Sequence, residues 1–271
     1  MIEVKDIKIG GGLPFVLIAG PCVIENEKIT LQTAEEIKRI TDQLGIRYIF
    51  KSSYKKANRT SIKSFSGIDF DEALKIFEKV KSELGLPVLT DVHTEREIEN
   101  ISSTADILQI PAFLCRQTEL LIAAGKTGKA VNVKKGQFVA PEDMQHVAEK
   151  IESTGNKKIL LTERGTTFGY HNLVVDMRGL EIMKGFGYPV IMDATHAVQI
   201  PSAGGTSGGE RKFISTLAKS AAAVGIDGLF LEVHPDPDNA LSDAASQLPL
   251  AKLKPLLEII KEIDAVVKNE K

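Results

Sequence analysis

Cysteine is nearly missing from this chain: Cys22 and Cys115 are the only two in 271 residues. So sparse a pair makes no disulfide framework of the kind that staples small secreted folds. No apolar run approaches the roughly 20 residues needed to cross a bilayer. The opening MIEVKDIKIGGG has no basic start leading into an apolar stretch, so it does not read as a signal peptide. A reducing, cytoplasmic setting is the expectation. Neither sign of charge is in excess: 34 Lys and Arg against 36 Asp and Glu leave a net −2. No global basic field calls for nucleic acid, although a local cationic pocket stays open. No proline- or serine-rich linker and no low-complexity tract divides the chain. The length permits one large domain or two small ones, either able to bury a sizeable core.

What is present is one unit repeated. Eight short β-branched or apolar runs read as strands: FVLIAG (15–20), YIFKSS (48–53), PVLTDV (87–92), ILQIPA (107–112), AVNVKK (130–135), KILLTER (158–164), PVIMDATH (189–196) and GLFLEVH (228–234). They are nearly continuous in apolar residues rather than alternating, as suits strands covered on both faces of a parallel sheet. Amphipathic helical stretches separate them. In FDEALKIFEKVKSELG the residues Phe70, Ala73, Leu74, Phe77, Val80 and Leu84 form one stripe, and Gly85 and Pro87 stop it. Segments 141–155, 209–225 and 248–267 continue the series. Strict alternation of strand and helix argues a parallel sheet, and eight units in some 250 residues is the size of an α/β TIM barrel, (β/α)8. The expected organisation is a single (β/α)8 barrel domain over 1–271, with residues 1–13 as an N-terminal β-hairpin closing the bottom. An open doubly wound sheet is the structural rival.

In such a barrel, chemistry sits at the carboxyl ends of the strands. Read in turn, those ends give Cys22, Lys51, Asp91 with His93, Gln109, Lys134 with Lys135, Glu163 with Arg164, Asp193 with His196, and Glu232 with His234. Every strand finishes in a polar or ionisable residue while its body is apolar. Two chemistries mix there. One is cationic: Lys51, Lys56, Arg59, Arg116, Lys134 and Arg164 suit phosphate oxygens. So many cations at one mouth repel unless anions fill it, which points to phosphorylated substrates. A single lysine is more often a solvated charge or an ion pair, but Lys51 and Lys134 lie inside strand ends. The other chemistry is that of a divalent metal: Cys22, His196, Glu232 and Asp243 offer a thiolate, an imidazole and two carboxylates. Taken singly, Cys22 could be a small buried hydrophobe, His196 a histidine bonding a backbone carbonyl, and Asp243 a turn cap. Cys115 reads as an ordinary buried thiol. The glycine-rich loops RGTTFGYHN (164–172) and PSAGGTSGGE (201–210) let backbone N–H groups approach an anion, or are surface loops.

In chain order, GPCVIE, FKSSYKKANRTS, TDVH, LQIPAFLCRQTELL, NVKKGQF, RGTTFGYHNLVVDMR, DATHAVQ and EVHPDPDNALSDAASQLPL closely resemble the 3-deoxy-D-manno-octulosonate 8-phosphate synthases, over about residues 5 to 265. KANRT is the most telling piece; the sister enzymes that make 3-deoxy-arabino-heptulosonate 7-phosphate share GPC and the barrel but usually carry a KPRT-like sequence there. The resemblance implies a cytoplasmic homotetramer that condenses phosphoenolpyruvate with D-arabinose 5-phosphate and water, releasing phosphate, for lipopolysaccharide synthesis. The family has a metal-requiring branch with cysteine in the GPC position and a metal-free branch with asparagine there. Cys22 places this chain with the former, which implies Cys22, His196, Glu232 and Asp243 as ligands of iron(II), zinc, manganese or cobalt. By the same matching, Lys51, Lys134 and Arg164 resemble the phosphoenolpyruvate grip, with Gln109 and Lys56 nearby. Asn58, Arg59 and Thr60 resemble the segment receiving the sugar phosphate, Asp91 lies near the sugar hydroxyls, and Arg116 reaches a neighbouring subunit's site. Two residues depart from the family pattern: Thr60 stands where serine is usual, and His171 where an amide or acid is more frequent.

Three other readings stand beside this one. A seven-carbon synthase would use erythrose 4-phosphate. A Schiff-base aldolase would use Lys51 or Lys134 as nucleophile. A non-catalytic barrel would bind a phosphate ligand without turning it over.

Overall fold

The computed structural model describes residues 1–58, 64–200 and 208–269. Eight parallel strands close on themselves: β1 (Val16–Gly20), β2 (Tyr48–Lys51), β3 (Val88–Asp91), β4 (Ile107–Ile110), β5 (Ala130–Lys134), β6 (Ile159–Glu163), β7 (Val190–Asp193) and β8 (Gly228–His234). Each pairs with the next, and β8 pairs with both β7 and β1, so Gly228 lies opposite Ile191 on one side and Val16 on the other. That closure sets aside the open doubly wound sheet. Eight helices wrap the outside: α1 (Glu27–Leu44), α2 (Phe70–Leu84), α3 (Glu95–Thr104), α4 (Thr118–Lys126), α5 (Met144–Glu152), α6 (Met177–Lys184), α7 (Ile214–Val224) and α8 (Leu253–Asn269). No helix among the described residues is long and apolar enough to cross a membrane.

The strand bodies are buried on both faces because two separate cores use alternate residues. Leu17, Phe50, Leu108, Val131 and Leu161 face outward into the layer shared with the helices. Ile18, Ile49, Leu89, Ile107, Leu160, Ile191 and Phe230 face inward and fill the lower barrel. The expected hairpin is there. Ile2–Val4 pairs antiparallel with Ile7–Ile9, and Ile2, Val4, Ile7 and Ile9 join the inner core, closing the amino-terminal end.

The same alternation carries polar groups into the barrel one layer higher: Lys51, Asp91, Gln109, Asn132, Lys134, Thr162, Asp193 and Glu232 each stand two residues beyond an inward apolar residue on their strand, or four beyond it for Lys134 after Ala130. Asn132 Nδ2 donates to Gln109 Oε1 at 3.0 Å, and Thr162 Oγ1 donates to Asn132 Oδ1 at 2.6 Å. Such pairing helps make burying this layer tolerable.

Helix ends follow local chemistry. Asn26 accepts from the N–H of Ile29 to start α1, Asp69 accepts from Asp71 and Glu72 to start α2, and Gly45 and Gly85 end them at φ 67° and 69°. Several expected elements overran, and two of them show why. PVIMDATH stops as a strand at Asp193, because that carboxylate accepts the N–H groups of Thr195 and His196 and turns the chain into a 3-10 turn at His196–Val198. Segment 209–225 becomes α-helical only at Ile214, after a 3-10 turn at Arg211–Phe213, since Gly208–Gly209 pairs with Gln199–Ile200.

Gly20 ends β1 where a Cβ would fall 2.1 Å from the Lys51 carbonyl oxygen. Gly20→Ala is expected to cost about 3 kcal/mol or more, since neither backbone can give way without breaking the barrel ladder. Chemical denaturation of the variant checks this.

Candidate active site

Above the polar layer the strand ends open into a cleft of about 750 Å³ whose walls include Lys51, Lys56, Asp91, Gln109, Lys134 and Arg164. All but Lys56 are buried residues that belong to strands or lie one residue past one, so the barrel frame fixes them. Asn58 stands at the edge of the cleft and is exposed. Arg59 and Thr60 lie outside the described residues, as does most of the second glycine loop. Arg116 is exposed and off the cleft wall; its carbonyl accepts from Lys150 Nζ at 3.1 Å. His171 is exposed as well.

Lys51 reaches down rather than out. Its Nζ donates to Glu232 Oε1 at 2.6 Å and to the Cys22 carbonyl at 3.2 Å, with both ion-pair side chains 1% exposed. Lys56 Nζ stands 3.7 Å from the same carboxylate oxygen. Burial alone would raise the Glu232 carboxyl, but His196, Lys51 and Lys56 outweigh it and hold the group well below the usual carboxylate range. Lys134 bonds Asp193 and sits 3.4 Å from the centre of the Phe230 ring. Burial pulls its ammonium down to about 8, and Asp193 offsets only part of that. Asp193 is held well below its ordinary value by His196 and Lys134 against the opposing effect of burial. Arg164 donates through Nη2 to Gln199 Oε1 at 2.9 Å, while its Nη1 is buried with no partner among the described residues. That free donor on the cleft wall suits an anionic ligand.

The thiol lies beneath these cations. Cys22 is fully buried; its N–H donates to Gln247 Oε1 at 3.3 Å, and its Sγ lies 3.0 Å from Ser242 Oγ. Donor atoms of Cys22, Glu232 and Asp243 all fall within 4.8 Å of one another. His196 is their neighbour. Its Nε2 is 3.5 Å from Glu232 Oε1, and its Nδ1 faces Asp193 Oδ2 at 2.7 Å. Among the described residues, Glu232 Oε2 is buried without a hydrogen-bond partner, an acceptor left open in the middle of the donor set. Burial, then the charges of Asp243 and Glu232, push the Cys22 thiol well above its ordinary value. A divalent cation would reverse that balance and draw off the proton. One sulfur with carboxylate oxygens fits a borderline transition metal better than magnesium or calcium.

The loop bearing Asp243 is tied to the β1–α1 connection that carries Cys22. Glu25 Oε1 accepts the N–H of Leu241 at 2.9 Å and lies 3.6 Å from His234 Nε2. Asp243 itself has φ 46°, a left-handed conformation that aspartate tolerates better than most residues.

Lys135 and Glu163 are strand-end residues that turn away from the cleft. Lys135 Nζ turns behind β5 to Thr166 Oγ1 at 2.9 Å and stands 3.6 Å from Glu163 Oε1. Glu163 in turn accepts the N–H groups of Arg164 and Gly165. Strand parity explains it: Lys134 and Arg164 point in, so their immediate neighbours point out. Other residues went unread in the sequence. Gln199 bridges Arg164 to Asp243, donating to Asp243 Oδ2 at 3.1 Å. Phe230 underlies Lys134, and Ser242 and Gln247 contact Cys22. Gln199 stands three residues past His196 and Gln247 four past Asp243, but nothing in those spacings alone marks a contact.

A model of the DAHP synthetase I family matches residues 1–269. Among curated proteins, a "2-dehydro-3-deoxyphosphooctonate aldolase" of Trichlorobacter lovleyi is 55% identical over 268 residues, 98% of each chain. The protein of the same description from Syntrophotalea carbinolica is 54% identical over 269 residues, 99% of this chain and 97% of that one. The one from Francisella tularensis is 51% identical over 270 residues, 99% of this chain and 98% of its own.

Proposed function

Because this chain belongs to the DAHP synthetase I family, we propose that its barrel condenses phosphoenolpyruvate with D-arabinose 5-phosphate and water, yielding 3-deoxy-D-manno-octulosonate 8-phosphate and inorganic phosphate. The product serves lipopolysaccharide synthesis. The observation that carries this reading is the convergence of Lys51, Lys56, Lys134 and Arg164 on one cleft directly above a thiol, an imidazole and carboxylates. The full-length relatives, all described as the octulosonate enzyme, favour it over the seven-carbon synthase, as does KANRT.

The physical problem is to bring two anions together and join a weak carbon nucleophile to an aldehyde. The cationic cleft offsets their repulsion, and orientation supplies several kcal/mol of the barrier. Lys51, Lys134 and Arg164 grip phosphoenolpyruvate, with Gln109 and Lys56 beside them. Asn58, Arg59 and Thr60 receive the sugar phosphate, and Asp91 meets the sugar hydroxyls. In a homotetramer Arg116, exposed here, serves a neighbouring subunit's cleft. Carbon 3 of phosphoenolpyruvate bonds to the aldehyde carbon, and the developing positive charge falls on carbon 2. Water takes that carbon, and phosphate leaves with the oxygen that bridged it to carbon 2. Lys134 is charged at neutral pH, with its ammonium bound to Asp193, which favours an electrostatic role over a Schiff base. Cys22, Glu232 and Asp243, with His196 beside them, would hold a divalent cation, whose Lewis acidity serves the aldehyde oxygen or the attacking water.

Two assays test the reading. Phosphate release with arabinose 5-phosphate is expected to exceed that with erythrose 4-phosphate; the reverse order would return the seven-carbon reading. Oxygen-18 at the bridging position of phosphoenolpyruvate is expected to leave in inorganic phosphate. Label kept in the sugar acid would disprove the carbon–oxygen break.

A further inference from the structure

Three consecutive residues past β2 are fastened one by one to the stretch running from the end of β3 into α3. Ser53 Oγ donates to Asp91 Oδ1 at 2.6 Å, Tyr54 Oη lies 3.3 Å from His93 Nδ1, and Lys55 Nζ donates to Glu97 Oε1 at 3.3 Å. The fastening matters because Lys56 and Asn58, both on the cleft wall, come next in the chain. Residues 55–56 lie close against residues 66–67: Lys55 bridges Gly67, and Lys56 N–H donates to Ser66 O at 2.7 Å. The crossing is so close that a Cβ at Gly67 would fall 2.4 Å from the Tyr54 carbonyl oxygen.

Glu97 is the hub of this seam, although it is not on the cleft wall. Its Oε2 accepts the N–H groups of His93 at 2.9 Å and Thr94 at 3.3 Å, which caps α3. Its Oε1 holds Lys55, and Oε2 stands 3.4 Å from His93 Nδ1. His93 Nε2 in turn lies 3.0 Å from Asp91 Oδ2. One carboxylate therefore reaches both sides of the sugar end of the cleft: Asp91 through His93, and Lys56 and Asn58 through Lys55. Tyr54 packs edge-on against both His93 and Phe70, which closes the seam from the α2 side.

We propose that Glu97 is a positioning residue for the sugar phosphate, setting the distance between Asp91 and the 56–58 segment without touching either substrate. This rests on the functional reading above, which puts the sugar at that end and phosphoenolpyruvate at Lys134 and Arg164. Glu97→Gln keeps an oxygen for the helix cap but drops the charge, so KM for arabinose 5-phosphate is expected to rise about tenfold, with kcat and KM for phosphoenolpyruvate within about twofold. Tyr54→Phe, which preserves the ring packing, is expected to shift the same constant in the same direction by less. In the double variant Lys55→Met with Glu97→Gln, the shift is expected to be no larger than the greater single one, as for groups acting in one unit. Equal rises in both KM values, additive effects in the double variant, or an unchanged sugar KM in both Glu97→Gln and Tyr54→Phe would overturn the assignment. If the unaltered protein releases no phosphate from the substrate pair, the failure belongs to the functional reading instead.

Discussion

If Cys22, Glu232 and Asp243 hold a divalent metal as proposed, Cys22→Ala is expected to purify without it and to lose at least about a hundredfold in turnover. The reason lies in the solvation of the sulfur. Cys22 is fully buried, with Glu232 and Asp243 beside it, and all three discourage a bare thiolate. A thiol so placed makes a poor nucleophile, which argues against covalent catalysis as its role. The same surroundings suit a cation: two carboxylates within 4.8 Å and one buried carboxylate oxygen with no hydrogen bond. The substitution removes one atom from a packed site, so its effect on folding is expected to stay near 1 kcal/mol. Elemental analysis, thermal melting and phosphate release together separate these effects. Metal retained at the same stoichiometry would remove sulfur from the ligand set. Undiminished turnover in a chelated sample of the unaltered protein would remove the metal from the reaction. Cys22→Asn, by likeness to the metal-free branch, is expected to recover part of the activity without metal.

Lys134→Met is expected to cost about 10²- to 10³-fold in turnover and about 3 kcal/mol in stability. The first loss follows from removing a fixed ammonium beside the reacting anion. The second follows from Asp193, which stays buried and ionised with one cationic partner gone. Adding Asp193→Asn is expected to restore most of the stability and none of the turnover; recovery of both would make Lys134 a purely structural group. The ammonium also fixes a pH dependence. Burial brings it from 10.5 to about 8 in the folded chain. Activity that needs the charge is therefore expected to fall as pH rises through about 8. Between there and the unfolded value the unfolded chain holds the extra proton, so this group's contribution to stability rises with pH over the same window. Turnover and folding thus move in opposite directions, a signature that general alkaline unfolding would not give. A pH profile of kcat beside denaturation curves at matched pH checks it.

Most of the barrel was legible because its strands are buried twice, toward helices and toward the barrel interior, and such strands are written as apolar runs with polar ends. The inward residues Lys51, Gln109, Lys134 and Glu232 could be picked from those ends directly. Lys135 and Glu163 look identical in sequence, yet parity sends them behind the wall. Applying the two-residue period from Ala130 or Leu160 upward would have separated them. Gln199, Ser242 and Gln247 were harder to see. They come from irregular connections whose path is set by distant contacts, such as Glu25 holding Leu241. No local pattern encodes a contact across |i−j| = 216. The Glu97 seam was hidden for another reason: a glutamate three residues past Thr94 already has a complete local explanation as a helix cap.

The donor set has a history that its geometry implies. Cys22 comes just after the first barrel strand and Asp243 after the last, and they meet only because β8 docks against β1. Half a barrel therefore carries half a site. During synthesis the sulfur waits for more than two hundred residues before its carboxylate companions exist. In the proposed function, a divalent ion would therefore be loaded only after the barrel has closed, and the choice among competing ions would fall to whatever pool the finished cylinder meets.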